Sequence, residues 1–209
     1  MKRRLKILDK IIRAIKSSGT FAIGGHMRPD GDCIGSQLAV GYALKNLGKK
    51  VMVLNQDEMP EKLAFLDPRK IVTGPRKARH YDCVIVTDCA SYERMGNICD
   101  SVSRRDLLIN IDHHGSNSRY GDINWVDPKS ASSGELVFQL FKQANWPITP
   151  QIADCLFTAI STDTGSFQYA TTQPSTYMIA AELVKRGANL SRICEEVYQS
   201  YPLSRVKLL

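Results

Sequence analysis

Short, continuous apolar runs alternate along the chain with segments whose apolar residues recur at helical spacing. Four of these runs predict β-strands, at residues 20–25, 50–54, 83–87 and 107–111. They are apolar at consecutive positions rather than at every second one, which is typical of strands covered on both faces of a sheet. Residues 55–80 mix polar and apolar positions and predict loops with short elements.

Helical spacing occupies most of the remaining chain. Beyond an N-terminal helix, helices are predicted at residues 35–47, 134–142, 150–161, 173–186 and 190–198. Ser132 or Ser133 is the expected N-cap of the 134–142 helix, and Gly48 and Gly187 end two of the others. Strands separated by helices imply parallel pairing through right-handed crossovers. We therefore predict an α/β fold with a doubly wound, mostly parallel Rossmann-like sheet flanked by helices.

Length and cysteine content narrow the class of protein. A chain of 209 residues fits one domain of ordinary size. Its six cysteines are scattered without a C-x-x-C pair, which indicates reduced thiols in a cytoplasmic protein. The N-terminus lacks the apolar core of a signal peptide, and no apolar stretch is long enough to span a bilayer. We therefore expect no membrane partner.

Positive charge is concentrated at the N-terminus. The net charge of the chain is +7, and the first sixteen residues carry seven cations against one anion, or +6, which leaves +1 for all other residues. Leucine and isoleucine recur there at helical spacing, so the segment predicts an amphipathic helix with a basic outer face. Such a face is either simply solvated or guides an anionic substrate such as a nucleotide or a short nucleic acid.

Histidine and aspartate residues cluster where strands and helices end. Taken singly, each cluster resembles an ordinary turn or helix cap. Together they fall where a parallel sheet has its carboxyl edge, which is where α/β proteins build their sites. The clustered residues are His26, Asp30, Asp32, Asp88, Asp112, His113, His114 and Asp163.

These side chains match the chemistry of a two-metal site. Two divalent ions roughly 3.5–4 Å apart need a bridging carboxylate and terminal nitrogen and oxygen ligands. Without cations, the carboxylates would repel one another. Mixed imidazole and carboxylate ligands suit Mn²⁺, and also Zn²⁺ or Fe²⁺. A water molecule between two such ions becomes acidic enough to attack a phosphorus atom.

The motifs that carry these residues resemble those of the DHH phosphoesterase superfamily, in the same order and over nearly the whole chain. They are GHMRPDGDCIGS at residues 25–36, VTD at 86–88, IDHH at 111–114 and STDTGSF at 161–167. Within the superfamily the chain is similar to the nanoRNase/pAp phosphatase branch, through NWVDP at residues 124–128 and ASSGE at 131–135. The resemblance implies Mn²⁺-dependent hydrolysis of short oligoribonucleotides, of 3′-phosphoadenosine 5′-phosphate, or of both.

The same resemblance implies a role for each residue of the clusters. Asp88 would bridge two Mn²⁺ ions, Asp112 would orient a ligand histidine, and His114 would face the substrate phosphate. Arg94 and the start of the helix at Gly35 and Ser36 are candidate substrate contacts. The terminal ligands would be His26 and Asp30 for one ion and Asp32, His113 and Asp163 for the other.

The resemblance also implies a domain organisation. Residues 1–201 would form the metal-dependent DHH domain, and residues 202–209 would begin a linker toward a C-terminal DHHA1-type domain absent from this chain. The expected partners are a short RNA or nucleotide substrate, with homodimer formation left open. Two other activities of the superfamily remain open, namely cleavage of cyclic or linear dinucleotides and hydrolysis of inorganic pyrophosphate. A further alternative is a nucleic-acid-binding module without catalysis.

Overall fold

Six strands form one sheet in the computed structural model, which describes residues 2–199. The strands are β1 (Thr20–Gly24), β2 (Lys50–Leu54), β3 (Val72–Thr73), β4 (Tyr81–Thr87), β5 (Arg105–Asp112) and β6 (Ile123–Val126). Their order is β3-β2-β1-β4-β5-β6, and every neighbouring pair is parallel. The prediction of a parallel Rossmann-like sheet is confirmed, and its strand order reverses direction between β1 and β4.

The described part of the chain forms seven α-helices around the sheet, most of them on one face. They are α1 (Lys2–Ser17), α2 (Gly31–Asn46), α3 (Ile98–Ser101), α4 (Ser133–Ala144), α5 (Pro150–Asp163), α6 (Pro174–Lys185) and α7 (Leu190–Cys194). The larger core joins α1, α2, α4 and α5 to alternate strand residues such as Ile23, Ile85 and Ile109. The opposite face packs residues such as Val84 and Val86 against α3. None of the described helices has the length and apolar character needed to cross a bilayer.

The strand order creates a switch point between the central strands β1 and β4. After β1 the chain turns toward β2, whereas after β4 it continues toward β5, so the loops that leave these adjacent strands diverge. In parallel α/β sheets such a divergence opens a crevice at the carboxyl ends of the strands. The loops that carry His26 and Asp88 follow β1 and β4.

The sequence interpretation misplaced or missed several elements. Helix α2 begins at Gly31 rather than at residue 35, because the Asp30 carboxylate caps it by accepting the Cys33 N–H at 3.0 Å. Strand β6 is a four-residue edge strand whose polar Asn124 interrupts the apolar run. Strand β3 has only two residues. The predicted linker from residue 202 lies outside the described residues.

Candidate metal centre

Asp88 occupies a special backbone conformation at the end of β4. Its φ angle is 53°, in the left-handed region that residues other than glycine seldom adopt. The backbone is held there because the Asp88 N–H donates to the Ile111 carbonyl of β5 at 3.0 Å. A strained conformation at a buried carboxylate indicates that the direction of this side chain matters to function.

The two carboxylate oxygens of Asp88 face different histidines. Asp88 Oδ2 lies 3.4 Å from His26 Nε2, and Asp88 Oδ1 lies 3.6 Å from His113 Nε2. Ser133 Oγ also donates to Asp88 Oδ1, at 3.1 Å. A single carboxylate therefore stands between two clusters of nitrogen and oxygen donors.

The first of these clusters follows β1. His26 Nε2 lies 3.8 Å from Asp30 Oδ1, and the other ring nitrogen, Nδ1, is 2.8 Å from the carbonyl oxygen of Met27. This contact at Nδ1 directs Nε2 toward Asp30 and Asp88. The buried Cys33 thiol lies close to His26 and Asp88 as well.

The second cluster joins three separate elements of the chain. His113 Nε2 lies 3.3 Å from Asp163 Oδ2 at the end of α5, and 3.8 Å from Asp32 Oδ2 at the start of α2. The Nδ1 atom of His113 is 3.3 Å from the Ser130 carbonyl, which fixes the ring with Nε2 directed into the cluster.

Asp32 is the most tightly held carboxylate of the second cluster. It is 1% exposed and accepts the N–H groups of Ser133 at 2.6 Å and Gly134 at 2.9 Å, at the start of α4. The partial positive charge of a helix N-terminus stabilises an anion in this position. The hydroxyl of Ser36 donates to Asp32 Oδ1 at 3.0 Å.

Asp112 and His114 form a separate pair beside Asp88. Asp112 Oδ1 is 2.8 Å from His114 Nδ1, and Asp112 Oδ2 accepts from Asn117 Nδ2 at 2.6 Å. Asn117 Nδ2 also lies 2.7 Å from Asn110 Oδ1, and both Asp112 and Asn110 are fully buried. The His114 side chain is 35% exposed, so its remaining ring nitrogen can reach a molecule that enters the site.

The acidic groups alter one another's protonation. Burial raises the pKa of Asp32 well above its usual range, and the nearby carboxylates of Asp88 and Asp163 raise it further. Burial also raises the pKa of Asp163, to about 6. Burial favours neutral His26, but the nearby carboxylates of Asp30 and Asp88 outweigh this effect and raise its pKa. Carboxylates gathered in this way favour a cationic partner.

Asp112 and His114, beside these carboxylates, alter each other's pKa values. The hydrogen bond that the Asp112 carboxylate accepts from the imidazole of His114 raises the pKa of His114. Burial alone would raise the pKa of Asp112, but the hydrogen bonds from His114 and Asn117 lower it. The arrangement therefore favours a carboxylate at Asp112 and a proton on the imidazole of His114.

The donor set fits two divalent cations. Imidazole nitrogens and carboxylate oxygens suit Mn²⁺, Zn²⁺ or Fe²⁺, whereas Mg²⁺ and Ca²⁺ prefer all-oxygen ligands. The clusters on the two sides of Asp88 each place one imidazole nitrogen among carboxylate oxygens. A carboxylate with one oxygen on each side is the arrangement that a two-metal site needs.

The structure brings together every residue that the sequence placed among the metal and catalytic candidates, whereas the predicted substrate contacts differ. Ser36 and Gly35 lie inside α2, so their N–H groups are not at a helix end, and the buried hydroxyl of Ser36 binds Asp32. The expectation of a helix start there was wrong because Asp30 caps the helix earlier. Arg94 is exposed, and its carbonyl oxygen accepts the N–H of Met27 at 2.7 Å, which places it beside the loop that carries His26.

The sequence interpretation missed the residues that support the clusters. Asn117 holds Asp112, and the start of α4 at Ser133 and Gly134 holds Asp32. The signal for α4 was present in the expected N-cap at Ser132 or Ser133, and the structure places the cap at Ser132. Its contact with Asp32, about one hundred residues earlier in the chain, was not indicated by any local pattern.

Comparison with known proteins agrees with this geometry. The N-terminal domain of the DHH family matches residues 20–160. A bifunctional oligoribonuclease and PAP phosphatase NrnA from Thermus thermophilus is 32% identical over 99% of this chain and 61% of that protein. A probable manganese-dependent inorganic pyrophosphatase from Streptococcus thermophilus is 26% identical over 79% of this chain and 55% of that protein.

A solved structure agrees with the fold over almost the whole chain. The crystal structure of an exopolyphosphatase-related protein from Bacteroides fragilis superposes with a TM-score of 0.90 and 27% identity, covering 97% of this chain and 63% of that protein. The chain thus spans less than two thirds of the length of the relatives it matches. The predicted resemblance is confirmed, and the chain belongs to the DHH family.

Proposed function

We propose that the protein is an Mn²⁺-dependent phosphoesterase that hydrolyses short oligoribonucleotides, 3′-phosphoadenosine 5′-phosphate, or both. The observation that carries this proposal is the Asp88 carboxylate, whose two oxygens face two separate clusters of histidine and aspartate. The similarity to an oligoribonuclease and PAP phosphatase supports the substrate class. The manganese-dependent relative supports the choice of ion.

In this proposal Asp88 is shared between the two metal sites. His26 and Asp30 complete the first site, and the second is completed by Asp32, His113 and Asp163. Divalent ions held in this way acidify a water molecule and neutralise charge on a phosphoryl group. The α4 N-terminus keeps the Asp32 carboxylate in place.

The pair of His114 and Asp112 acts on the substrate. Asp112 holds Nδ1 of His114, so the exposed Nε2 faces an incoming phosphate. Because this pairing favours a protonated imidazole, His114 stabilises negative charge on the phosphoryl group or donates a proton to the leaving oxygen. Arg94, whose backbone contacts Met27 beside His26, adds positive charge for an anionic substrate.

We further propose that residues 1–201 form the DHH domain, with residues 202–209 leading toward a second, DHHA1-type domain outside this sequence. The matched proteins extend well beyond the region that this chain covers, which supports such an organisation. The second domain of such a protein would form part of the substrate cleft. The choice of substrate is therefore proposed together with that domain. A cytoplasmic location and a homodimer remain predictions.

The test compares three substrates in Mn²⁺ and in EDTA, namely an RNA dinucleotide, 3′-phosphoadenosine 5′-phosphate and inorganic pyrophosphate. We expect Mn²⁺-dependent release of mononucleotide or phosphate from the first two, and no detectable turnover by Asp88→Asn. The control is Asp106→Asn, an exposed carboxylate paired with His80 where β4 and β5 begin, at the opposite edge of the sheet.

Each alternative activity has its own outcome in this experiment. Preference for pyrophosphate would favour the second candidate function, which the pyrophosphatase relative supports. Cleavage of cyclic or linear dinucleotides alone would indicate a dinucleotide phosphodiesterase. RNA binding without turnover in any condition would favour a non-catalytic module and would overturn the proposal.

A further inference from the structure

A cleft with basic walls lies between helix α1 and the edge strand β6. Its volume is about 490 Å³, and the strand side consists of residues 124–127. Three exposed cations of α1, Arg4, Lys6 and Lys10, line the other side, and Arg119 completes the wall. One carboxylate, Asp127, lines the same cleft, which leaves an excess of three positive charges.

Within residues 2–199, none of these cations lies within ion-pair distance of a carboxylate. Among the described residues, the ion pairs made by lysine or arginine are those of Lys142 and Arg186 with Glu182. Unpaired cations on one wall of a cleft create a local positive potential that attracts anions. Three of the seven cations in the first sixteen residues are therefore brought together on one wall of the cleft by the fold.

The cleft lies beside the edge of the sheet that carries the candidate metal centre. Helix α1 ends at Ser17, just before β1 starts, so its N-terminal end points toward the carboxyl edge of the sheet. On the strand side, Val126 is the direct partner of Asp112 across the β5–β6 pair. Because neighbouring strands lie about 4.8 Å apart, the cleft begins one strand away from the Asp112–His114 pair.

A short loop connects the Asp112–His114 pair to the cleft. Asn117, which holds Asp112, accepts the backbone N–H of Arg119 at 2.6 Å. Arg119 has a φ angle of 56°, so its backbone direction is fixed in the left-handed region. The residue that helps to position the catalytic pair therefore also positions a cation of the cleft.

The shape and charge of the cleft fit an extended polyanion better than a single small anion. Arg4 and Lys10 are six residues apart on α1, which spaces their backbone positions by about 9 Å along the helix. Of the described residues that line the cleft, Trp125 alone is aromatic, and at 4% exposure it offers no surface on which a base can stack. The cleft can therefore contact only the charged phosphate backbone of a nucleic acid, which carries no sequence information.

We propose that this basic cleft binds the phosphate backbone of a single-stranded RNA, on the part of the substrate that extends beyond the nucleotides held at the metal centre. The inference rests on the proposed function for its choice of RNA. It assigns to α1 a role in length preference: substrates long enough to reach the cleft bind more tightly, whereas 3′-phosphoadenosine 5′-phosphate does not use it.

The experiment measures binding of a fluorescently labelled five-nucleotide RNA by anisotropy in EDTA, at several salt concentrations. The test variant carries Arg4→Gln, Lys6→Gln and Lys10→Gln, and glutamine maintains the helix. The control variant carries Arg13→Gln, Lys16→Gln and Lys45→Gln, which removes the same charge at exposed positions outside the cleft. Both variants are also assayed in Mn²⁺ with 3′-phosphoadenosine 5′-phosphate.

We expect the test variant to bind the RNA at least about 10-fold more weakly, with the slope of log K against log salt reduced by about 2. The control should stay within about 2-fold of the wild type. Equal weakening in both variants, or no salt-dependent binding by the wild type, would overturn the cleft assignment. Absence of hydrolysis by the wild type would count against the proposed function alone, because binding is measured without turnover.

Discussion

At the scale of single residues, the proposed metal centre depends on the direction of the Asp88 side chain. Its left-handed backbone conformation costs on the order of 1–3 kcal/mol, and a hydrogen bond to β5 maintains it. In return, one carboxylate faces both His26 and His113. An ordinary extended backbone at this position would direct the side chain elsewhere, so the strain is part of how the site is built.

Replacement of His114 should separate catalysis from metal binding. We expect His114→Ala to bind the same number of Mn²⁺ ions as the wild type, while kcat falls about 10²- to 10⁴-fold because an acid or charge-stabilising group is lost. Calorimetric titration gives the metal stoichiometry, and initial rates give kcat. Loss of one bound Mn²⁺ would instead identify His114 as a ligand, since it also lies near Asp88.

Replacement of Asn117 should loosen the Asp112–His114 pair. Asn117→Ala leaves the buried Asp112 carboxylate without a hydrogen bond of 2.6 Å, so we expect unfolding to become easier by about 1–3 kcal/mol and kcat to fall. Urea unfolding measures the first effect. Asn46→Ala, at an exposed residue that ends α2, is the control. Unchanged stability and kcat would show that Asn117 supports nothing essential.

The sequence predicts ligand types better than the contacts that hold them. His26, Asp88 and His113 stand out because they end apolar runs, and a parallel sheet gathers such ends at one edge. The hydrogen bond from Asn117 to Asp112 depends on the path of an irregular loop, which leaves no periodic pattern. Ser36 illustrates the limit: the motif identifies its place, but only the three-dimensional structure shows its hydroxyl on Asp32.

At the scale of elements, the close packing of α2 on α5 fixes where Asp32 and Asp163 meet. Gly35 makes this possible because a Cβ atom there would lie 2.4 Å from the Cys155 carbonyl oxygen and 2.9 Å from the Ala159 Cβ. The two helices bring carboxylates from distant parts of the chain to the same histidine. Their spacing is therefore a property of the site as well as of the core.

Replacing Gly35 by a larger residue should disturb both the packing of α2 on α5 and the metal site. We expect Gly35→Ala to lower the free energy of unfolding by at least about 1–3 kcal/mol, through overpacking against a backbone oxygen that cannot move freely. It should also weaken Mn²⁺ binding, because α2 carries Asp32. Gly74→Ala, where no atom lies within 4 Å of the added Cβ, is the matched control in urea unfolding. Equal stability of the two variants would contradict this account of the helix pair.

Element prediction succeeded where the apolar pattern was long and failed where tertiary contacts decide. Strands β1, β2, β4 and β5 were found because each is a continuous apolar run. Edge strand β6 was missed because its four residues alternate and pair with β5 alone. The predicted start of α2 was too late because Asp30, a candidate metal ligand, also serves as the N-cap of this helix.

At the scale of the whole molecule, metal binding and folding should be linked. The candidate ligands come from β1, α2, β4, β5 and α5 or the loops beside them, so an unfolded chain cannot bring them together. A ligand that binds only the folded state stabilises it by about 2.7 kcal/mol at one hundred times its Kd. For a chain of this size, that corresponds to roughly 5–10 °C in Tm for each site.

Thermal unfolding in Mn²⁺ and in EDTA measures this linkage. We expect Mn²⁺ to raise the Tm of the wild type and of Asp106→Asn, and to have little effect on Asp88→Asn. Asparagine tolerates the left-handed conformation of residue 88, so this variant should fold in EDTA as the wild type does. An equal rise in Tm for all three proteins would mean that Mn²⁺ acts at another place.

The identity of the substrate is what the sequence predicts least well. Relatives named for oligoribonucleotides, PAP and pyrophosphate all match this one chain. The matched proteins are longer than this chain, so groups beyond the matched region can also distinguish these substrates. The chain's own contribution is the basic cleft beside β6, which the N-terminal charge indicated only as a general preference for anions.

Calorimetric titration of the metal-free protein with Mn²⁺ measures whether Asp88 bridges two ions. We expect two ions bound per chain for the wild type and for Asp106→Asn, and loss of tight binding at both sites in Asp88→Asn, since one carboxylate serves both. Two ions still bound tightly by Asp88→Asn would contradict the assignment of Asp88 as the bridge. A single ion in the wild type would contradict the two-metal centre.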